Sequence, residues 1–165
     1  MLGGVTVDDC RALGRGIFVI DKYFRIYLRN SLRQYGLSTT EAMVLLALYE
    51  RGGSLMEDVF QDIHGPRLQK SQGQIISELQ YDKAAMTRTM QSLEDKDFVV
   101  RRENPNDSRS FLFSATEKAD EFKPILIGFL RDWNQLLLNG IGDLEIVSGA
   151  IERMADNAKQ AVKGE

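Results

Sequence analysis

Between Ser71 and Ser114 the chain reads SQGQIISELQYDKAAMTRTMQSLEDKDFVVRRENPNDSRSFLFS, and this stretch restricts the fold more than any other. Ser71 with Gln74 has the form of a capping box, in which each side chain satisfies a free backbone donor, so a helix opens there. A brief turn at Tyr81 leads to Asp82, a good N-cap for a second helix over KAAMTRTMQSLEDK. Two short helices joined so tightly form a helix-turn-helix. In the second helix Met86, Met90 and Leu93 make the buried stripe, with Thr89 beside it. Lys83, Ala84, Thr87, Arg88 and Gln91 are left on the outer face. Asp97 falls where a helix often ends in a left-handed residue, a conformation Asp tolerates better than most. FVVRRE and SRSFLFS then alternate with period two around NPND, which predicts a β-hairpin with a loop longer than two residues. A helix-turn-helix followed at once by a hairpin is the order of a winged helix.

Helices flank this segment on both sides. Apolar residues at Leu13, Ile17, Ile20, Phe24, Tyr27, Leu28, Leu32 and Tyr35 predict one long amphipathic helix, from Asp8 to Gln34, ended by Gly36. Gly14 and Gly16 each weaken it by about 1 kcal/mol relative to Ala, so its first turns are expected to fray or kink. Arg25, Arg29 and Arg33 share one face and read as solvated. Ser38 and Glu41 form another capping box, opening a buried helix over AMVLLALYE that is expected to stop at Gly52-Gly53. A stripe of Leu55, Val59, Phe60 and Ile63 predicts a short helix from Leu55 to His64, stopped by Gly65-Pro66. Thr116 caps a helix beginning at Glu117, which Pro124 is expected to kink or break, because it lacks an amide donor. Gly142-Asp143 starts a last helix with the stripe Leu144, Val147, Ile151, Met154 and Ala158. The fold class expected is mainly α with a small β-hairpin wing.

Composition sets few further limits. The 165 residues suit one domain, or one domain with an extension that packs on a partner, and 43% hydrophobic with 27% charged residues is ordinary for a folded protein. The net charge of -3 announces no polyanion partner, but nucleic-acid binding depends on where charge sits rather than on the total. Arg67 to Lys118 holds nine Lys/Arg against eight Asp/Glu, and Ala119 to Glu165 five against eight. Cys10 is the only cysteine, which fits a reducing compartment. With neither a secretory leader nor an apolar run long enough to span a bilayer, a soluble cytoplasmic protein is expected.

The physics of a winged helix suits duplex DNA. A helix fits the major groove, where Arg88 is the candidate for a bidentate contact to guanine and Ala84 and Ala85 keep the helix slim. The hairpin reaches the flanking minor groove, whose negative potential attracts an arginine, and Arg109 near the wing tip fits that position. Asp107 is placed to bond nearby backbone amides or to hold the Arg109 side chain. The residues alone leave a second use open: Asn-Pro-Asn-Asp is good turn chemistry without any function, and winged helices also dock proteins.

Three elements in register carry a resemblance. They are Thr87-Arg88 in the second helix with Leu93 beyond, Asp107-Ser108-Arg109 in the wing, and Thr116 to Ala119 where the next helix begins. In this order and spacing the chain resembles the MarR family of transcriptional regulators, over nearly its full length. The resemblance implies a homodimer whose first and last helices intertwine (residues 8–36 and 117–163), with a DNA-binding region at 37–116. It implies that Lys83, Ala84, Ala85 and Arg88 read the major groove of one half-site of a pseudo-palindromic operator. Arg109 would enter the minor groove with Asp107 orienting the wing. It also implies a repressor that a small, often aromatic or anionic, effector releases from DNA. Departures are Asp97 for the usual glycine, Ala115 for the usual leucine, and a longer connection at 51–70 that ends in an expected strand from Leu68 to Lys70.

Other candidates are narrower. Some family members sense peroxide through a cysteine near the start of the first helix, where Cys10 lies, although Asp8 and Asp9 would oppose a reactive thiolate. His64, the only histidine, has no cysteines or closely spaced carboxylates set around it, so no metal site is expected. No glycine-rich phosphate loop, nucleophile elbow or His/Cys pair is present, so neither catalysis nor a cofactor is expected. The acidic balance and the long connection motivate one rival reading, a winged-helix dimer that has lost DNA recognition and serves protein docking or ligand binding.

Overall fold

The computed structural model describes residues 6–50 and 66–163. The expected helix from Leu55 to His64, and His64 itself, lie outside the described residues. By contacts the chain divides into two compact units, Met1–Arg131 and Asp132–Glu165. In the first unit α1 spans Val7–Leu32 and tightens into a 3-10 turn at Arg33–Tyr35. It is continuous through Gly14 and Gly16, where fraying or a kink was expected. Gly36 closes it at φ 64°, a left-handed conformation in which its amide donates to the Arg33 carbonyl.

Helix α2 (Thr39–Ala47) opens with the Ser38–Glu41 capping box, both halves of which form. It ends five residues before the glycines that were expected to stop it. The Leu48 carbonyl accepts from the Leu68 amide at 2.8 Å, and the Glu50 carbonyl from the Lys70 ammonium at 2.6 Å. Long-range donors thus take carbonyls that further turns of helix would have used.

The winged segment follows as β1 (Lys70–Ser71), α3 (Gln72–Leu79), α4 (Lys83–Asp95), β2 (Val99–Asn104) and β3 (Asp107–Ala115). Ser71 and Gln74 complete their capping box, and Asp82 accepts from the Ala85 amide at 2.8 Å to start α4. Gln80 and Asp97, at φ 55° and 59°, turn the chain out of α3 and α4. The strands form one antiparallel sheet in the order β1-β3-β2. The third strand lies at Lys70–Ser71, one residue beyond its expected end, with Lys70 opposite Phe113.

The wing tip departs from the expected longer loop. Pairing runs regularly from Val99–Ala115 to Glu103–Phe111, slips, and resumes at Asn104–Asp107, so that Pro105 and Asn106 alone make the turn. Pro105 pre-sets the backbone for a tight turn, and the Asn104 side chain accepts from the Asn106 amide at 3.0 Å. Of the expected loop, Asn104 and Asp107 thus join the strands, and Ser108 to Ser110, expected in the second strand, bulge from β3.

Helix α5 (Glu117–Leu138) runs through Pro124 without a break. One amide donor is lost, but Phe122, Lys123, Leu126 and Ile127 are buried around the proline and hold the helix in place. In the second unit the end of α5 and α6 (Leu144–Lys163), whose Asp143 cap accepts from the Ile146 amide, line an apolar groove with Leu137, Leu138, Leu144 and Ile151.

The core of the first unit joins every layer. Leu28 and Leu32 of α1 meet Leu45, Leu46 and Leu48, then Ile75, Met86, Met90 and Leu93, the sheet residue Phe113, and Phe122, Leu126 and Ile127 of α5. Phe98 stands edge-on to Phe122 at 5.6 Å, with Tyr35 on another side at 4.9 Å. Each fully buried Leu or Met contributes roughly 1.5–3 kcal/mol.

Charged groups tie the wing to this core. Lys70, buried, bonds Glu78 of α3 as well as the Glu50 carbonyl, both at 2.6 Å. Tyr49 donates to Asp120 at 2.6 Å, and Arg67 bonds the other oxygen of the same carboxylate. Burial raises the Asp120 pKa, but the bonds from Arg67 and Tyr49 outweigh it and hold the carboxyl below its usual range. Burial and Asp120 together push the Tyr49 phenol up, so it remains a donor.

Candidate nucleic-acid interface

Helix α4 presents the face that its sequence foretells. Met86, Met90 and Leu93 are buried, while Lys83, Ala84, Thr87, Arg88 and Gln91 are exposed. Ala85 is half-buried, turned partly toward the body. The side chains of Lys83 and Arg88 have no hydrogen-bond or ion-pair partner among the described residues. Gln91 is tied along its own helix to Asp95 at 2.9 Å.

The wing brings a second set of groups to the same side. An open groove of about 520 Å³ is lined by Lys83 of α4, by Ser71, Gln72 and Gly73 at the start of α3, and by Arg101, Asn104, Asp107, Arg109, Ser110, Phe111 and Phe113. Three cations line it against one carboxylate, so the groove is locally positive in a chain of net charge -3.

Asp107 settles into one of its two expected roles. Its carboxylate accepts from the backbone amide of Arg109 at 3.0 Å, and the two side chains form no ion pair. Ser110 donates to the Asp107 carbonyl and accepts from Asn104 Nδ2 at 2.9 Å, which locks the bulge around Arg109. The tip is therefore fixed by its backbone, while the Arg109 guanidinium stays exposed and unpaired among the described residues.

Sequence reasoning missed two groups in the groove. Arg101 lies over the Phe111 ring at 4.5 Å, with Glu94 of α4 at 3.6 Å. Gln72 donates from Nε2 to the Thr87 hydroxyl at 2.8 Å, linking the first helix of the pair to the outer face of the second. Register carried the signal for Arg101, since it stands two residues from the buried Val99 on the same face of β2, opposite Phe113. Nothing local marks Gln72, because its partner is fifteen positions away. Arg88 and Gln91 lie farther along α4, outside the groove lining. Cys10 belongs to the first turn of α1, on another element altogether. Among the described residues no cluster of His, Cys, Asp and Glu is suited to a metal ion, and no helix is long and apolar enough to cross a membrane.

A paired-helix body with a β wing against its second helix defines a winged helix-turn-helix protein. Residues 35–110 match the model of the MarR family. A relative from Clostridioides difficile (strain CD3), the HTH-type transcriptional regulator BilQ, is 25% identical over 126 residues, which is 76% of this chain and 74% of that one. A MarR transcriptional regulator from Methanosarcina mazei Go1 has the same fold, with a TM-score of 0.74, 22% identity and coverage of 92% of this chain and 99% of that one. A mutant MarR from E. coli complexed with operator DNA aligns with a TM-score of 0.67 and 19% identity, covering 94% and 99% of the two chains.

Proposed function

We propose that this chain is a sequence-specific DNA-binding regulator that acts as a homodimer on a pseudo-palindromic operator. Helix α4 enters the major groove with Lys83, Ala84, Ala85, Thr87, Arg88 and Gln91 toward the bases and backbone. The wing enters the minor groove with Arg109, oriented through the bond from its amide to Asp107. The observation that carries this reading is the locally positive groove, in which Lys83, Arg101 and Arg109 line one side of an otherwise acidic protein. Residues 8–36 and 117–163 serve as the dimerisation region and 37–116 as the DNA-binding region. The family relationship supports a repressor that a small aromatic or anionic ligand releases. A Cys10-based redox response is a separate property, and mild peroxide followed by mass spectrometry and DNA binding tests it.

A labelled promoter fragment from the protein's own locus tests the main reading. Binding is expected to weaken steeply as salt rises, by release of counterions. Arg109→Ala should weaken it further, and Arg88→Ala should relax the preference at one base pair by roughly 1–3 kcal/mol. Absence of salt-sensitive binding leaves the rival, a docking or ligand-binding dimer.

A further inference from the structure

The bond between Gln72 and Thr87 restricts what the outer face of α4 offers to a base. A threonine hydroxyl has one proton to donate and two lone pairs to accept with. The Thr87 proton goes to the Lys83 carbonyl one turn earlier, at 2.9 Å. One lone pair takes the amide proton of Gln72, at 2.8 Å. What remains for an incoming surface is a single lone pair and the methyl group.

Each purine shows N7 to the major groove as an acceptor, guanine adds O6, and thymine shows O4; all of these need a donor. Thr87 has none to give. The match for its methyl is the 5-methyl of thymine, which is read by apolar contact. Gln72 is well placed to enforce this choice, because it sits at the first position of α3 beside Ser71 and Gln74, whose capping box fixes the start of that helix.

We propose that Gln72 is a positioning residue for base specificity: by holding the Thr87 hydroxyl it turns Thr87 into a reader of a thymine methyl group. The inference rests on the DNA-binding reading above and adds the base class and the residue that selects it.

The test uses the full-length protein and the duplex it selects from a random-sequence library. Each thymine is replaced in turn by deoxyuridine, which deletes only the methyl. One thymine per half-site is expected to respond, with affinity falling roughly fourfold, the value of one buried methylene-sized group. Thr87→Ser, which keeps the hydroxyl and removes the methyl, should abolish that response. Thr87→Val, which keeps a methyl and needs no hydroxyl partner, should retain it. Gln72→Ala should reduce the response below twofold, and in the Thr87→Val background should leave the response to the thymine methyl as it was. Gln72→Glu provides the same loss of donor at nearly constant size if the alanine variant folds poorly.

Three results overturn the inference while leaving DNA binding intact: no thymine responds, Thr87→Ser keeps the response, or the Gln72 variants weaken all duplexes equally with the response unchanged. A cytosine contact through its N4 amine to the remaining lone pair falls under the first of these. Failure of the wild-type protein to select or bind any duplex overturns the DNA-binding reading and this one with it.

Discussion

The two ends of α1 follow the same apolar spacing and meet opposite fates. Leu28 and Leu32 are wholly buried, whereas Leu13 is 51% exposed, Ile17 48% and Phe18 77%. The second unit resembles the open end, with Ile146 66% exposed. A period of three to four marks a helix with an apolar face, but it does not say what covers that face. The winged segment covers its own end of α1 by folding around it. The other end and α6 keep large apolar side chains in contact with water, an arrangement that suits an interface between copies better than a monomer's surface. Core and proposed interface would thus share one sequence signature and differ only in where the partner comes from.

The largest expected effect breaks the open end. Leu13→Glu combined with Ile17→Glu places charges where the proposed dimer buries apolar groups. Sedimentation should show a folded monomer, and affinity for the two-half-site duplex should fall by about 100-fold or more as bivalency is lost. A variant that remains dimeric and binds normally would place the dimer contact elsewhere. Next in size is a cut in the closed end. Leu32→Ala should lower unfolding stability by about 2–5 kcal/mol through lost burial and a residual cavity. Urea denaturation should show this loss at every protein concentration, while the wild-type midpoint rises with concentration. A concentration-independent wild-type midpoint would remove the contrast between the two ends.

Much of the closed region was legible because local chemistry and tertiary packing agree there. The capping boxes at Ser38 and Ser71, the cap at Asp82 and the left-handed Asp97 all stand where residue type puts them. Two of the misses share a cause, which is packing or bonding to distant residues that overrides a local signal. Helix α2 ends early because Leu68 and Lys70 take its carbonyl groups. Helix α5 passes through Pro124 because flanking side chains are buried on the core. The wing closes in two residues because Asn104, Asp107 and Ser110 bond across its tip. The exposed positions of Lys83, Arg88 and Arg109 were readable from helix face and turn position, although Arg88 lies outside the groove. Gln72 was not, since a contact between two helices leaves no periodic trace.

The smallest prediction concerns pH and sharpens the same contrast. Glu41 is buried, with Oε2 accepting from the Ser38 amide and Oε1 from Lys96 Nζ, both at 2.6 Å. Burial by itself raises its pKa, but the bonds from Lys96 and Ser38 prevail and leave it below the ordinary value. A carboxylate whose folded pKa is depressed adds stability that is complete above its unfolded pKa, about 4.3, and is lost as pH falls through the folded value. Glu41→Gln can keep the cap on the Ser38 amide with its one amide oxygen, but it then turns an NH2 donor toward Lys96 in place of a charged acceptor. Its cost in urea unfolding should therefore be greatest near neutral pH and shrink as pH falls below about 4. A cost unchanged between neutral and acidic solution would show that the cap, not the charge, is what Glu41 supplies. On the open end the counterpart is Asp21, exposed and paired with Arg25 at 3.0 Å. Asp21→Asn should leave the urea midpoint close to that of the wild type, as exposed ion pairs within one helix contribute little.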